Sequence, residues 1–396
     1  MAQAQTLIRP LHEGDLDALY RIRQIAFLDN LSLTNPAVQA THLATLDYKY
    51  GRFVDGRLAS SASWYPFEMY LGGKRTVVAG LASVVSAAET RRQGHVRALL
   101  SHGLEMLRDQ DIAWCLEYPF DTRYYRRFGW ETVANGSFVE VPIERFRRFD
   151  SPGTIQRVEP DDTSLGAIQR IHSAWASAYN FTMARTDSIR PHWERILDGD
   201  PWHDDDARFV FLSEHAYCVL KISSKAGAET LLLLDYAFET PAGRETIFAF
   251  MNHFAGQVDT VRLQLATDDP LALEWSNFTV AHPHPLHARI VDAAQALTGW
   301  QTAEDFAFAI EVRDDFCEWN NATFAVAVED GLTVARRVDA EADLSADIRG
   351  LAQVLSGSVS ASAARQTGVV TGDAESIAKL SSLATRPCFM ALSDYF

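Results

Sequence analysis

The 396-residue chain has only four cysteines, Cys115, Cys218, Cys317 and Cys388, each separated from the next by about seventy to a hundred residues. No pair has CxxC spacing, which argues against a zinc knuckle or a redox dithiol. Most of the four sit in apolar runs and read as buried, reduced thiols. Nowhere do about eighteen apolar residues run together, so no membrane-spanning helix is expected. The N-terminus has no basic head followed by an apolar stretch, so no signal peptide is expected, and the default compartment is the cytoplasm. Positive charge is in short supply: 36 Lys and Arg face 52 Asp and Glu, a net charge of −16. A nucleic-acid or anionic-membrane binder would lean the other way, so neither partner is expected. The chain also lacks a GxGxxG turn, a GxxxxGK[ST] loop and a GxSxG elbow, which removes the common dinucleotide, nucleoside-triphosphate and serine-hydrolase sites.

What is present is an ordinary globular composition, 47 % hydrophobic and 22 % charged, long enough for two or three domains. Ser151-Pro152-Gly153 and His282-Pro283-His284-Pro285 mark two linkers and give segments 1–150, 151–285 and 286–396. Charge separates them. The first holds 18 basic and 17 acidic residues, the second 10 and 19, the third 8 and 16. The arginines of the first segment therefore need a local reason.

Periodicity in the first segment predicts strands over 7–10, 48–54, 57–68, 74–86, 113–117 and 131–142, and helices over 13–27, 94–107 and 121–128. Asp55-Gly56 suits a tight hairpin. Residues 154–280 repeat this order loosely. In the third segment 288–297, 344–356 and 374–383 read as helices, and 306–312, 321–328 and 332–337 as strands.

Two stretches carry chemistry. In Val84-Val85-Ser86-Ala87-Ala88-Glu89-Thr90-Arg91-Arg92-Gln93-Gly94-His95-Val96-Arg97 a strand stops, a turn holds two arginines and a glycine, and a helix begins. Unpaired N–H groups and the helix dipole make such a terminus an anion site. Gly94 lets a phosphate approach the backbone. The other stretch is Glu117-Tyr118-Pro119-Phe120-Asp121-Thr122-Arg123-Tyr124-Tyr125-Arg126-Arg127-Phe128-Gly129-Trp130. The first resembles the acetyl-CoA motif [QR]xxGx[GA] of GNAT acetyltransferases, with Val96 in the sixth place. The second is similar to their FYxxFGF segment, whose tyrosine protonates the departing CoA thiolate. That position is Tyr125.

The whole chain resembles the Eis (enhanced intracellular survival) group. The resemblance implies a mixed α+β fold of tandem GNAT domains: a catalytic one over 1–150, a degenerate one over 151–285, and a sterol-carrier-protein-like domain over 286–396. Weaker support lies in Arg289-Ile290-Val291-Asp292-Ala293 and in Asp314-Asp315-Phe316 followed by Trp319-Asn320. The middle segment has Thr240-Pro241-Ala242-Gly243-Arg244 where an Arg-rich phosphate turn would stand.

The implied activity is N-acetyl transfer from acetyl-CoA, without a metal, to the amine of a cationic small molecule or lysine side chain. Cofactor contacts would come from Val84, Val85, Ser86, Arg91, Arg92, Gln93, Gly94, His95, Val96, Arg97, Phe120 and Asp121. The resemblance assigns the general base to the carboxylate of the last residue, Phe396. The residues alone leave open whether Tyr395-Phe396 instead packs on the third domain. Phe27 and Asp29 match an F-x-D substrate pattern, though Asp29 also suits a helix-end turn. Trp64 is a further substrate-side candidate. A homohexamer is the implied assembly. The alternative is an acyl-CoA or lipid-binding protein working through its third domain. His203 with Asp204-Asp205-Asp206, and the His282, His284 and His287 group, read as solvated loop and linker residues.

Overall fold

The structure is a computed structural model that describes residues 5–28, 35–135, 138–150, 153–159, 161–185, 193, 196–197, 207–225, 228–266, 268–280 and 285–395. Three mixed sheets organise it. The first part contains β1 (Thr6–Pro10), α1 (Leu16–Phe27), α2 (Pro36–Ala44), β2 (Lys49–Val54), β3 (Arg57–Leu71), β4 (Lys74–Ser86), α3 (His95–Asp109), β5 (Trp114–Glu117), α4 (Thr122–Arg126) and β6 (Glu131–Ala134). It closes with β7 (Phe138–Pro142), and the second part contains β8 (Gln156–Val158), α5 (Asp162–Ala176), β9 (Phe209–Leu212), β10 (Ala216–Lys225), β11 (Ala228–Phe238), β12 (Thr260–Gln264), β13 (Thr279–Val280) and β14 (Leu286–Ile290).

The first sheet runs β1-β2-β3-β4-β5-β14-β6 and the second β13-β7-β12-β11-β10-β9-β8. Read from opposite ends the two orders match, and each contains one strand from the other half. β14 sits antiparallel between β5 and β6, with His287 opposite both Glu117 and Thr132. β7 sits between β12 and β13. Residues 131–142, expected as one strand, are thus two strands in different sheets, Glu131–Ala134 and Phe138–Pro142.

Both faces of the first sheet are buried, as its nearly unbroken apolar strands require. Alternation sends Trp64, Ala79, Leu81 and Cys115 to one face, under Leu100, Leu104 and Leu107 of α3. Tyr65, Phe67, Val78 and Leu116 point the other way, into a core shared with Phe308, Ile310, Phe324 and Val326 of the third sheet. That sheet has five strands, in the order Leu332–Val338, Ala322–Glu329, Ala307–Arg313, Leu344–Asp347 and Val370–Gly372. Residues 344–356, expected as one helix, begin with the strand Leu344–Asp347 and become helical at Ile348. The switch is made by Asp347, whose carboxylate accepts from Arg349 N at 2.9 Å and caps the helix.

The two weak sequence motifs of the third segment meet. Arg289 NH2 reaches Asp314 Oδ2 at 2.6 Å, with both side chains buried. Trp319 Nε1 and Asn320 Nδ2 donate to Val291 O, and Ala293 N donates to Asn320 Oδ1. They form the seam between the first sheet and the third domain.

Candidate active site

β4 and β5 pair in parallel only from Ala79↔Cys115 to Leu81↔Glu117. β5 then ends, while β4 continues to Ser86 along β3, through the pairs Ser61↔Val85 and Ser60↔Ser86. The register shifts between Ser61 and Ser63, and Ser83 has φ 53°, which marks a bulge that bends β4 away from β5. The outcome is a V-shaped opening with one edge formed by the backbone of Ala82 to Ser86. Val84 and Ser86 are half-buried on this edge, and Val85 is buried against the α1 side.

The turn beyond it is shaped for an anion. Arg92 and Gly94 both have left-handed backbones, at φ 63° and 82°. Gly94 is the N-cap of α3 and offers no side-chain cap, so the N–H groups of the first turn stay available. No atom stands within 4 Å of where a Gly94 Cβ would be. Arg91, Arg92, Gln93 and Arg97 are exposed there and Val96 is half-buried. His95 is buried; its Nδ1 accepts from Arg52 Nε at 3.1 Å, and burial together with Arg52 lowers its pKa. A recess of about 410 Å³ continues along α3, walled by Arg97, His102 and Phe316 of the third domain.

Tyr125 stands on α4 at the far side of the opening, 4 % exposed. Its ring packs edge-on against Tyr124 and Trp130. Burial, then the charge of Glu117, pushes its hydroxyl well above the usual value. Phe120 is exposed beside it, with its ring centroid 6.0 Å away. Asp121 caps α4, accepting from Arg123 N at 2.8 Å, so its carboxylate serves the helix.

Two residues that motif reading did not select complete the site. Glu117 ends β5 and His287 lies opposite it on β14, with Oε1 and Nδ1 2.9 Å apart and both side chains buried. His287 Nε2 is 2.9 Å from Thr132 Oγ1. Burial raises the Glu117 pKa well above the usual range. Burial, then Arg126, lowers that of His287 to about 4. Both shifts favour the uncharged forms. The carboxyl had a visible place at the end of a strand. The imidazole is 170 residues away in sequence and arrives only because β14 is exchanged into this sheet.

His287 has a measurable consequence. The unfolded imidazole titrates near 6.5, the folded one near 4. Below pH 6.5 the unfolded chain takes up a proton that the folded chain refuses. The contribution of His287 to stability is therefore full above 6.5 and is lost as pH falls towards 4, by about 3 kcal/mol at the limit. Buried His172 shifts in the same direction. Glu117, raised above its unfolded value, contributes with the opposite sign, so the His287 effect is read by difference: on going from pH 7.5 to 5 the urea midpoint of the parent should lose more, or gain less, than that of His287→Gln.

Tyr395 of the C-terminal segment reaches the same place. The Tyr395 ring lies 4.4 Å from that of Tyr118, next after Glu117. Burial and the charge of Glu117 raise its pKa. Phe396 itself lies outside the described residues, as do Asp29, His203, Asp204, Asp205, Asp206, His282 and His284. On the substrate side Phe27 is exposed at the end of α1, with the Arg23 guanidinium over its ring at 4.9 Å. Arg23 NH1 donates to Ser83 Oγ at 2.8 Å and so ties α1 to the β4 bulge. Trp64 corrects an expectation. It is 3 % exposed beneath α3, where a Cβ on Gly103 would meet its ring at 2.0 Å, so it is a packing residue. Among the described residues no group of three or more His, Cys, Asp or Glu could hold a metal, and no helix is long and apolar enough to cross a membrane.

Comparison with known proteins agrees with this geometry. Residues 7–133 and 183–290 each match an acetyltransferase (GNAT) domain family, and residues 291–389 match the sterol carrier protein domain. The chain is an acyltransferase built on tandem GNAT folds with a sterol-carrier-like domain behind them. The order of its domains resembles that expected of Eis-like GNAT proteins. An uncharacterized N-acetyltransferase of Streptomyces avermitilis is 24 % identical over 315 residues, 73 % of this chain and 74 % of the relative. A GCN5-related N-acetyltransferase from Anabaena variabilis has the same fold, with TM-score 0.84 and 19 % identity over 99 % of this chain and all of the other. So does Eis1 from Mycobacterium abscessus, with TM-score 0.80 and 19 % identity over 98 % of this chain and all of that one. The GNAT fold implies use of an acyl-CoA, and the opening, the bare β4 edge and the uncapped α3 terminus fit one.

Proposed function

We propose that this protein transfers an acetyl group from acetyl-CoA to the primary amine of a cationic small molecule or lysine side chain. The turn from Arg91 to Arg97 would hold the pyrophosphate, and the β4 edge at Val84 to Ser86 the pantetheine. The Phe396 carboxylate, directly or through water, takes the proton of the ammonium. The amine attacks the thioester carbonyl, the carbon–sulfur bond breaks, Tyr125 gives its proton to the thiolate, and the proton left on the new amide nitrogen returns to Tyr125. A free α-carboxylate is a weak base, with a reference pKa of about 3.5, and desolvation would strengthen it. The observation that carries the reading is the splay of β4 from β5 beside the uncapped α3 terminus, and the Tyr395 ring on Tyr118 supports the proposed base. The acidic second and third segments would draw cations towards the protein.

The test is release of CoA thiol from acetyl-CoA with a panel of a polyamine, an aminoglycoside, a lysine peptide and an arylalkylamine. Acceptor-dependent release supports the reading; none with any amine overturns it. Gly94→Ala should raise KM for acetyl-CoA about tenfold with kcat little changed. A left-handed backbone costs a non-glycine residue about 1–2 kcal/mol, and the new methyl would stand where the phosphate approaches. The implied homohexamer is read by light scattering. The lipid-carrier alternative is not favoured, because the apolar side chains Phe308, Ile310, Phe324 and Val326 are already spent in the core shared with the first sheet. The recess of about 370 Å³ on the third domain is polar, with Glu311, Thr323, Asp343 and Ser345 in its wall.

A further inference from the structure

The second GNAT fold repeats the opening of the first without its anion site. β11 and β12 pair in parallel only from Thr230↔Thr260 to Leu232↔Arg262. β11 then runs on to Phe238 past a register shift at Leu234, between the pairs Leu220↔Leu233 and Val219↔Asp235. This is the same splay with the same bulge. The helix Pro241–Met251 that follows differs from α3. Thr240 caps it, its Oγ1 accepting from Gly243 N at 3.1 Å, and Pro241 at its start has no N–H.

The C-terminal segment fills this second opening. Gln264, at the end of β12, donates Nε2 to Met390 O at 2.9 Å. Phe389 and Ala391 are buried with Trp175, Ala237 and Ala266. Thr182 Oγ1 donates to Phe389 O at 2.6 Å. Arg185 closes the slot. Its NH1 and NH2 meet the two oxygens of Asp235 at 2.8 and 2.7 Å, and its Nε donates to Asp394 Oδ1 at 2.8 Å. Ser393 Oγ and Tyr217 OH add bonds to Asp235. Arg185, Asp235 and Asp394 are all buried. Burial alone would raise the Asp235 carboxyl, yet Arg185 outweighs it and holds it near 2.

A buried charge cluster contributes little net stability over a well-packed apolar filling, but it fixes geometry. Tyr395, next after Asp394, packs on Tyr118 beside Glu117, so fixing Asp394 also fixes where the segment enters the first opening.

We propose that the second GNAT fold is a slot for the protein's own C-terminal segment, and that Arg185, through Asp394, is a positioning residue that seats Tyr395 at the acyl-transfer site of the first fold. The positioning half rests on the proposed role of the Phe396 carboxylate. The slot half does not.

The test uses the full-length protein with Asp394→Asn, which leaves Arg185 paired to Asp235, and compares it with Arg185→Met and with deletion of Phe396. The first readout is release of Phe396 by carboxypeptidase, which should quicken at least tenfold in Asp394→Asn. The second is turnover of acetyl-CoA with the best acceptor of the panel. There kcat should fall at least tenfold, with KM for acetyl-CoA within twofold. Unchanged release of Phe396 overturns the slot. Faster release with kcat within twofold, while the deletion abolishes turnover, overturns positioning. Full turnover after the deletion overturns the carboxylate base instead, and the carboxypeptidase rate still decides the slot. Should Arg185→Met fail to fold, Asp394→Asn carries the test alone.

Discussion

Tyr125→Phe is expected to lower kcat by about 10²- to 10⁴-fold, the span for loss of a positioned general acid. The ring would keep its packing against Tyr124 and Trp130, so thermal stability should barely move. The high pKa of the hydroxyl raises a question of driving force. A free thiol titrates near 8.5, well below this phenol. The same dry surroundings that disfavour the phenolate disfavour the departing thiolate, and the proton moves only as negative charge builds on sulfur. Burial therefore keeps Tyr125 protonated across the working pH range without disabling it as an acid. The check is kcat by thiol release, with a thermal midpoint on the same sample. A kcat within threefold of the parent would remove Tyr125 from the mechanism.

The second large effect is structural. Asp314 accepts from Arg289 NH2 and Asn320 Nδ2 through one oxygen and from the N–H groups of Phe316 and Cys317 through the other. Asp314→Ala should cost about 3–5 kcal/mol, because it leaves the Arg289 guanidinium buried without a counter-charge. That cation lies under Gly129, where a Cβ would come within 2.6 Å of its carbon, so it has no room to turn towards water. A thermal midpoint lower by several degrees is the expected reading. Arg289→Met combined with Asp314→Leu should recover most of the loss, since neither charge then remains. Failure of the pair to recover would place the cost in the loop's lost hydrogen bonds.

Much of the first fold was legible locally. A strand followed by Arg91-Arg92-Gln93-Gly94 and a helix needs no distant partner to be an anion site, because backbone N–H groups and the helix dipole supply it. Tyr125 was legible for the same reason: its motif is contiguous. Trp64 misled because alternation along a strand says that residues have two faces, not which face meets the opening. The 131–142 run misled because both of its halves have strand composition, and only pairing assigns them to different sheets.

The sequence by itself determined the tandem GNAT and sterol-carrier-like fold class, the strand–turn–helix around Arg91–Gly94, and the capped helix start at Thr240-Pro241 that replaces it in the second fold, the last two being properties of short contiguous stretches. Tertiary structure alone decided that β7 and β14 change places, that His287 meets Glu117, and that Arg185 grips Asp394 209 residues away. Such pairings depend on loop closure and on which buried charges find partners. Those costs are spread over the whole chain and leave no mark in any local pattern.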